Sequence, residues 1–144
     1  MIELFRIHGA AYDAFDTMGT VLFGGRWNSR GVPVVYTAQH ISLAALEVLV
    51  HAGGKKIPPK VLTRILVPQN IEIGETSSLD FAAAPRFGDR WIAESRTAVL
   101  RVPSITVNGL EFNYLLNPLH PDFPRITRKT PIPFQFDDRF FSHR

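Results

Sequence analysis

The chain has 144 residues, 45% of them hydrophobic, enough for one core without covalent staples, and it has no cysteine, which excludes a disulfide framework and Cys-ligated zinc or iron–sulfur centres. Sixteen Lys and Arg against thirteen Asp and Glu leave a net charge of +3, but only Lys55-Lys56 and Arg128-Lys129 are adjacent, so no nucleic-acid-binding stripe is expected and a small anionic ligand or an acidic protein suits the balance equally. No apolar run reaches the roughly 18 residues of a membrane span and the start, Met1 to Arg6, lacks signal-peptide layout, so one cytoplasmic domain over 1–144 with no membrane contact is expected.

In chain order, Ile2 to Ile7 reads as a strand, and a polar, partly helical stretch is expected around Ala11–Thr17. Val21 to Asn28 becomes a glycine-rich loop, and Pro33–Thr37 reads as a short strand. A helix is predicted from about His40 to Ala52, stopped by Gly53-Gly54. Val61–Val67 and Asn70–Ile73 are β-rich runs separated by Pro68, and Ser78–Ala84 and Gly88–Ser95 read as two helices. Ala98–Val102, Ser104–Val107 and Phe112–Leu116 read as strands beside an Asn108-Gly109 hairpin turn. Pro131–Phe136 alternates and suits a sheet edge, where proline is tolerated. Eleven prolines, gathered mainly at 58–68 and 103–133, imply short interrupted elements, and the mixed order of strands and helices gives an α+β class.

The predicted helix holds the most informative side chain. Leu43, Leu46, Glu47 and Val50 share one face, while Ile41, Ala44, Ala45, Val48 and Leu49 cover the others, so the helix is apolar nearly all round and is expected to be buried. An ionised carboxylate without partners in such a place costs several kcal/mol or more, so Glu47 is expected to meet a cleft, a cation or a ligand.

Around it lie further candidates. Gly24-Gly25-Arg26 joins a flexible turn to a fork of charged donors suited to a phosphate or pyrophosphate, although it matches no phosphate-loop fingerprint. Tyr36, ten residues after Arg26 and eleven before Glu47, sits where a strand feeds the helix and offers a flat ring and a hydroxyl. Trp27 and Asn28 shape the same loop, with Trp27 a core anchor. The five histidines have no metal-ligand spacing, so no metal is expected, and no Ser-His-Asp set is identifiable.

The segments GGRWNSRGVPVVYTAQHISLAALE, LRVPS and FNYLLNPLHPDF, in that order, resemble the RES-domain family, named for its arginine, glutamate and serine, over nearly the whole chain. The chain departs from the family in its shortness and in Ala38, where serine is frequent before the helix. The resemblance implies a single compact domain related to the ADP-ribosyltransferases, with mixed sheets and short helices. It implies the toxin of a bacterial type II toxin–antitoxin pair that takes NAD as substrate, with no separate cofactor, and cleaves the nicotinamide–ribose bond. Transfer of ADP-ribose to a protein is the alternative activity, and a non-catalytic nucleic-acid- or protein-binding domain the alternative of a different class.

Carried onto this chain, the resemblance makes Arg26, Tyr36 and Glu47 the catalytic core, Glu47 stabilising an oxocarbenium-like ribose, Arg26 neutralising the pyrophosphate and Tyr36 stacking near nicotinamide or its ribose. Ser104 would orient a ribose or the nicotinamide amide. Arg6, the other candidate for the pyrophosphate, and Asn113 complete the substrate-binding set. The partners implied are an Xre-type DNA-binding antitoxin and a second copy of the chain.

Overall fold

The computed structural model describes residues 1–78 and 80–141. Its framework is one eight-stranded mixed sheet built from β1 (Ile2–His8), β2 (Val35–Ala38), β3 (Lys60–Val67), β4 (Ile73–Glu75), β5 (Val99–Pro103), β6 (Phe112–Leu116), β7 (Thr127–Arg128) and β8 (Ile132–Phe134). The order is β4-β5-β6-β2-β1-β3-β7, with β8 also on β3, and every pairing is antiparallel except β4–β5. Among the described residues three α-helices flank it: α1 (Met18–Phe23), α2 (Ile41–Ala52) and α3 (Ala84–Glu94). This is the expected α+β class.

Side chains alternate across the sheet as a period of two requires. Val35, Val99, Tyr114 and Leu116 face one cluster with Leu4 and Ile65, while Leu100, Val102 and Leu115 face another, capped by Trp27 and by Trp91 and Ile92 of α3. A third cluster seats Leu43 and Ala44 of α2 on Ile7, Ala38 and Leu62. One seam is weakly zipped: β1 and β2 share a single register pair, Phe5 with Ala38, whereas β2 and β6 share four. The site forms at this seam.

Several expectations need correction. The 11–17 stretch is bends and turns, and the helix begins after it, at Met18, without burying any of its residues; Phe23 is 76% exposed. The β-rich run at 70–73 turns first, Ile71 N–H donating to Pro68 O (3.2 Å), and the strand starts at Ile73. Of the helix expected over 78–84 only Ala84 is helical among the described residues, Leu79 lying outside them; one helix runs from Ala84, with Pro85 in its first turn where the missing N–H costs nothing. Ser104–Val107 is not a strand: Ile105–Val107 forms a 3₁₀ turn. Helix α2 has the predicted span and a left-handed Gly53 stop (φ 59°), but it is only half sunk. Leu43 and Ala44 are its buried residues, and Leu46 (39%) and Val50 (60%) are exposed. Its N-cap is His40, without a side-chain cap bond, and Ala38 belongs to β2, so alanine at 38 removes no cap.

Candidate active site

The Gly24–Asn28 segment is a tight turn: Gly25 N–H donates to Asn28 O (2.9 Å) and Gly24 takes φ 71°. Asn28, 2% exposed, is its internal anchor. Its Nδ2 donates to Thr20 O (3.0 Å) and Val32 O (2.9 Å), and its Oδ1 accepts the Tyr36 hydroxyl (2.6 Å). The same Tyr36 oxygen accepts the Trp27 N–H (3.0 Å). A side chain at Gly25 would stand 2.7 Å from that oxygen, which is why the turn can close on it. With Trp27 in the core, Arg26 is left at the tip, its guanidinium 4.6 Å from the Phe81 ring centroid, a cation–π approach.

Burial holds the Tyr36 phenol well above the ordinary tyrosine range, the nearby Asp89 charge adding to this, while the Trp27 N–H and the Arg26 charge oppose it. The hydroxyl therefore stays protonated and donates to Asn28. Helix α3 braces the turn from behind: Ser29 N–H donates to Asp89 Oδ1 (2.8 Å), and the Trp27 carbonyl lies where a side chain at Gly88 would be, 1.7 Å from an added Cβ.

At the seam, Arg6 Nη1 donates to Tyr36 O (3.1 Å), linking β1 to β2 away from their one register pair. Its Nε is buried with no partner, and burial pulls the guanidinium below its ordinary value, with the Asp16 charge opposing. Asn113 Nδ2 donates to Thr37 O (3.3 Å) from the other side of β2. Glu47 projects from α2 toward the β5–β6 connection, where Ser104 Oγ donates to its Oε2 (3.0 Å) and Thr106 Oγ1 to its Oε1 (2.9 Å). Both carboxylate oxygens thus have donors.

These side chains converge on one cleft of about 520 Å³, within the range of about 300–1,000 Å³ common for small-molecule sites. Arg6, Arg26, Tyr36, Glu47 and Asn113 all line it. Ser104 does not: it is 1% exposed and sits behind Glu47, so the contact with ribose or nicotinamide expected of it is replaced by a bond to the carboxylate. Thr106, Phe81 and His51 join the lining, and the sequence reading singled out none of them. His51, four residues after Glu47 on one helix, was the most readable of the three. Arg6, Arg26 and Glu47, with His51, Asn113 and Thr106 among apolar side chains, give the cleft both cations for negative phosphates and an anion for developing positive charge.

Among the described residues no group of three or more His, Asp or Glu side chains is disposed to hold a metal ion, and no helix is long and apolar enough to cross a membrane.

Comparison with known proteins extends the geometry. The RES domain family profile matches residues 3–137. The chain is 35% identical over 143 residues to a protein of Sphingobium sp. (strain YBL2) named Prs ADP-ribosylating toxin, covering 89% of this chain and 88% of that one. It is 36% identical over 149 residues to Toxin Res of Photorhabdus laumondii subsp. laumondii, covering 94% and 95%. Among solved structures, a chain of the M. tuberculosis MbcT–MbcA toxin–antitoxin complex superposes with a TM-score of 0.75 at 17% identity, over 93% of this chain and 84% of that one, which is a likeness of fold.

Proposed function

The chain belongs to the RES-domain family, and from that premise we propose that it is an NAD-consuming toxin that breaks the nicotinamide–ribose bond and passes ADP-ribose to water or inorganic phosphate. The observation that carries this reading is the Glu47 carboxylate, held by two hydroxyls in a cleft that also contains Arg6 and Arg26. Nicotinamide in NAD is already cationic. When the C1′–N bond breaks, its electron pair leaves with neutral nicotinamide and positive charge develops on the ribose, where a preorganised carboxylate stabilises it. Arg26, at the tip of its braced turn, offers the bidentate fork for the pyrophosphate, with Arg6 in the floor behind it. Tyr36 acts chiefly by holding that turn through its hydroxyl, with its ring as one wall of the cleft.

The test incubates purified protein with NAD, with and without phosphate, and resolves the products by chromatography. Release of nicotinamide with ADP-ribose or its phosphate ester is expected. Glu47→Gln is expected to stay folded and lose about a hundredfold to a thousandfold in kcat. No nicotinamide release by the parent, or equal release by Glu47→Gln, rejects the reading.

A second reading, transfer of ADP-ribose to a protein side chain, is favoured by the name of the Sphingobium relative. Label from adenine-labelled NAD entering a protein band in a cell extract distinguishes it. An antitoxin of the Xre type that covers the cleft fits either activity, and the fold neighbour was crystallised within a toxin–antitoxin complex. Full NAD turnover by a purified complex of the two would remove that part of the proposal.

A further inference from the structure

We propose that Thr106 is a positioning residue that sets the rotation of the Glu47 carboxylate, a proposal that rests on the NAD-cleaving reading of the same cleft. The connection from β5 to β6 is closed on itself: Ser104 N–H donates to Glu111 O (2.9 Å), Gly109 N–H donates to Ser104 O (2.7 Å), and Asn108 and Gly109 take φ 60° and 73° to complete the turn. This closure puts two hydroxyls, two residues apart, against one carboxylate. Ser104 reaches Oε2 from the buried side and Thr106 reaches Oε1 from the cleft wall.

One donor alone would leave the carboxylate free to turn about its last bond. Two donors, one to each oxygen, fix the plane and commit one lone-pair direction on each oxygen, leaving the others for the ribose. Glu47 stands on the cleft side of α2 with Val50 and His51, and the hydrogen bonds given to its carboxylate come from Ser104 and Thr106 on the β5–β6 connection. Thr106 suits the task because its β-branched χ1 is stiff, so the hydroxyl stays aimed. Valine has the same shape and no donor.

The experiment compares Thr106→Val and Thr106→Ser with the parent in NAD turnover and thermal unfolding, and repeats Thr106→Val in the Glu47→Gln background. For Thr106→Val, kcat is expected to fall roughly tenfold with KM and melting temperature near the parent's, and Thr106→Ser is expected to recover most of the loss. In the Glu47→Gln background the valine substitution is expected to cost little more, because the negative charge that the bond orients toward the ribose is already gone. A raised KM with parental kcat makes Thr106 a substrate contact, and a full additional loss in the Glu47→Gln background shows action independent of Glu47; either overturns the proposal. Should the parent not cleave NAD, the functional reading fails and a crystal structure of Thr106→Val decides the inference alone. A carboxylate turned away from its parental plane supports it, and an unmoved carboxylate overturns it.

Discussion

Tyr36→Phe separates the ring from the hydroxyl. Phenylalanine keeps the cleft wall and removes the oxygen that accepts the Trp27 N–H at 3.0 Å and donates to Asn28 Oδ1 at 2.6 Å. Asn28 is 2% exposed, so its carbonyl has no ready access to bulk water, and the Trp27 N–H is partly shielded. Each buried polar group left without a partner costs about 1–3 kcal/mol, and with the partly shielded Trp27 N–H counted at the low end of about 1 the pair is expected to lower stability by about 2–4 kcal/mol. For a domain of this size about 3 °C accompanies each kcal/mol, so the midpoint is expected to fall by roughly 6–12 °C. The loosened turn is the one that presents Arg26, so the folded fraction at low temperature should bind NAD several-fold more weakly. Differential scanning calorimetry reads the first quantity and titration calorimetry with NAD, well below the midpoint, the second. If Tyr36→Phe melts with the parent and binds NAD as tightly, the hydroxyl does not hold the turn and the tyrosine acts through its ring alone.

Arg26→Lys retains the charge but loses both the bidentate fork and the planar group facing Phe81; a rise of about tenfold in the NAD Kd is expected, and an unchanged Kd would pass the pyrophosphate to Arg6. Gly88→Ala places a methyl where the Trp27 carbonyl lies, a backbone atom that must itself move; a loss of about 3 kcal/mol in urea unfolding, with weakened NAD binding, is expected, and parental stability would show that α3 yields at no cost. His8 donates from Nδ1 to Gly9 O (3.0 Å) and accepts the Thr63 hydroxyl at Nε2 (2.7 Å). Burial, aided by the Arg6 and Lys60 charges and opposed by the Gly9 bond and Asp13, lowers its pKa from 6.5. Well above 6.5 both the folded and unfolded imidazoles are neutral; as pH falls through 6.5 the unfolded one takes up a proton first, so stability is expected to drop from there and to level off only below the lowered value of the folded state. His8→Gln should flatten that slope in thermal melts, and an identical slope in the variant would assign it to other groups.

The site was legible where chemistry forces a residue type. An acid in the middle of an apolar helix, and a guanidinium on a double glycine, announced themselves, and the cleft brings both together with Tyr36, Arg6 and Asn113. Helix α2 was readable in its span because Gly53 stops it, but not in its depth: an apolar surround is also what a half-sunk helix beside a cleft shows, and Leu46 and Val50 lie open. Ser104–Val107 has β-forming residues yet turns, because Asn108 and Gly109, both left-handed, close the loop locally on Ile105 O and Ser104 O and so override the strand propensity of the residues between. Pro85 and Gly88 read as a break between two helices. Proline instead sits in the first turn of one helix, and glycine marks the close approach of the Trp27 carbonyl. Thr106 was invisible because its partner is 59 residues away along the chain.

The strand order sets a timetable for the molecule's birth. A chain emerging from the ribosome presents Arg6, Arg26, Tyr36 and Glu47 early, but β2 has only one register pair with β1 and depends on β6 for the other four. The two hydroxyls on Glu47 arrive with the same late hairpin. An incomplete chain therefore carries most of the reactive groups without a floor to mount them on, and contacts this distant in sequence form slowly. For the activity proposed, turnover is expected to begin only once β6 has docked, because until then the Glu47 carboxylate lacks both of its hydroxyl donors.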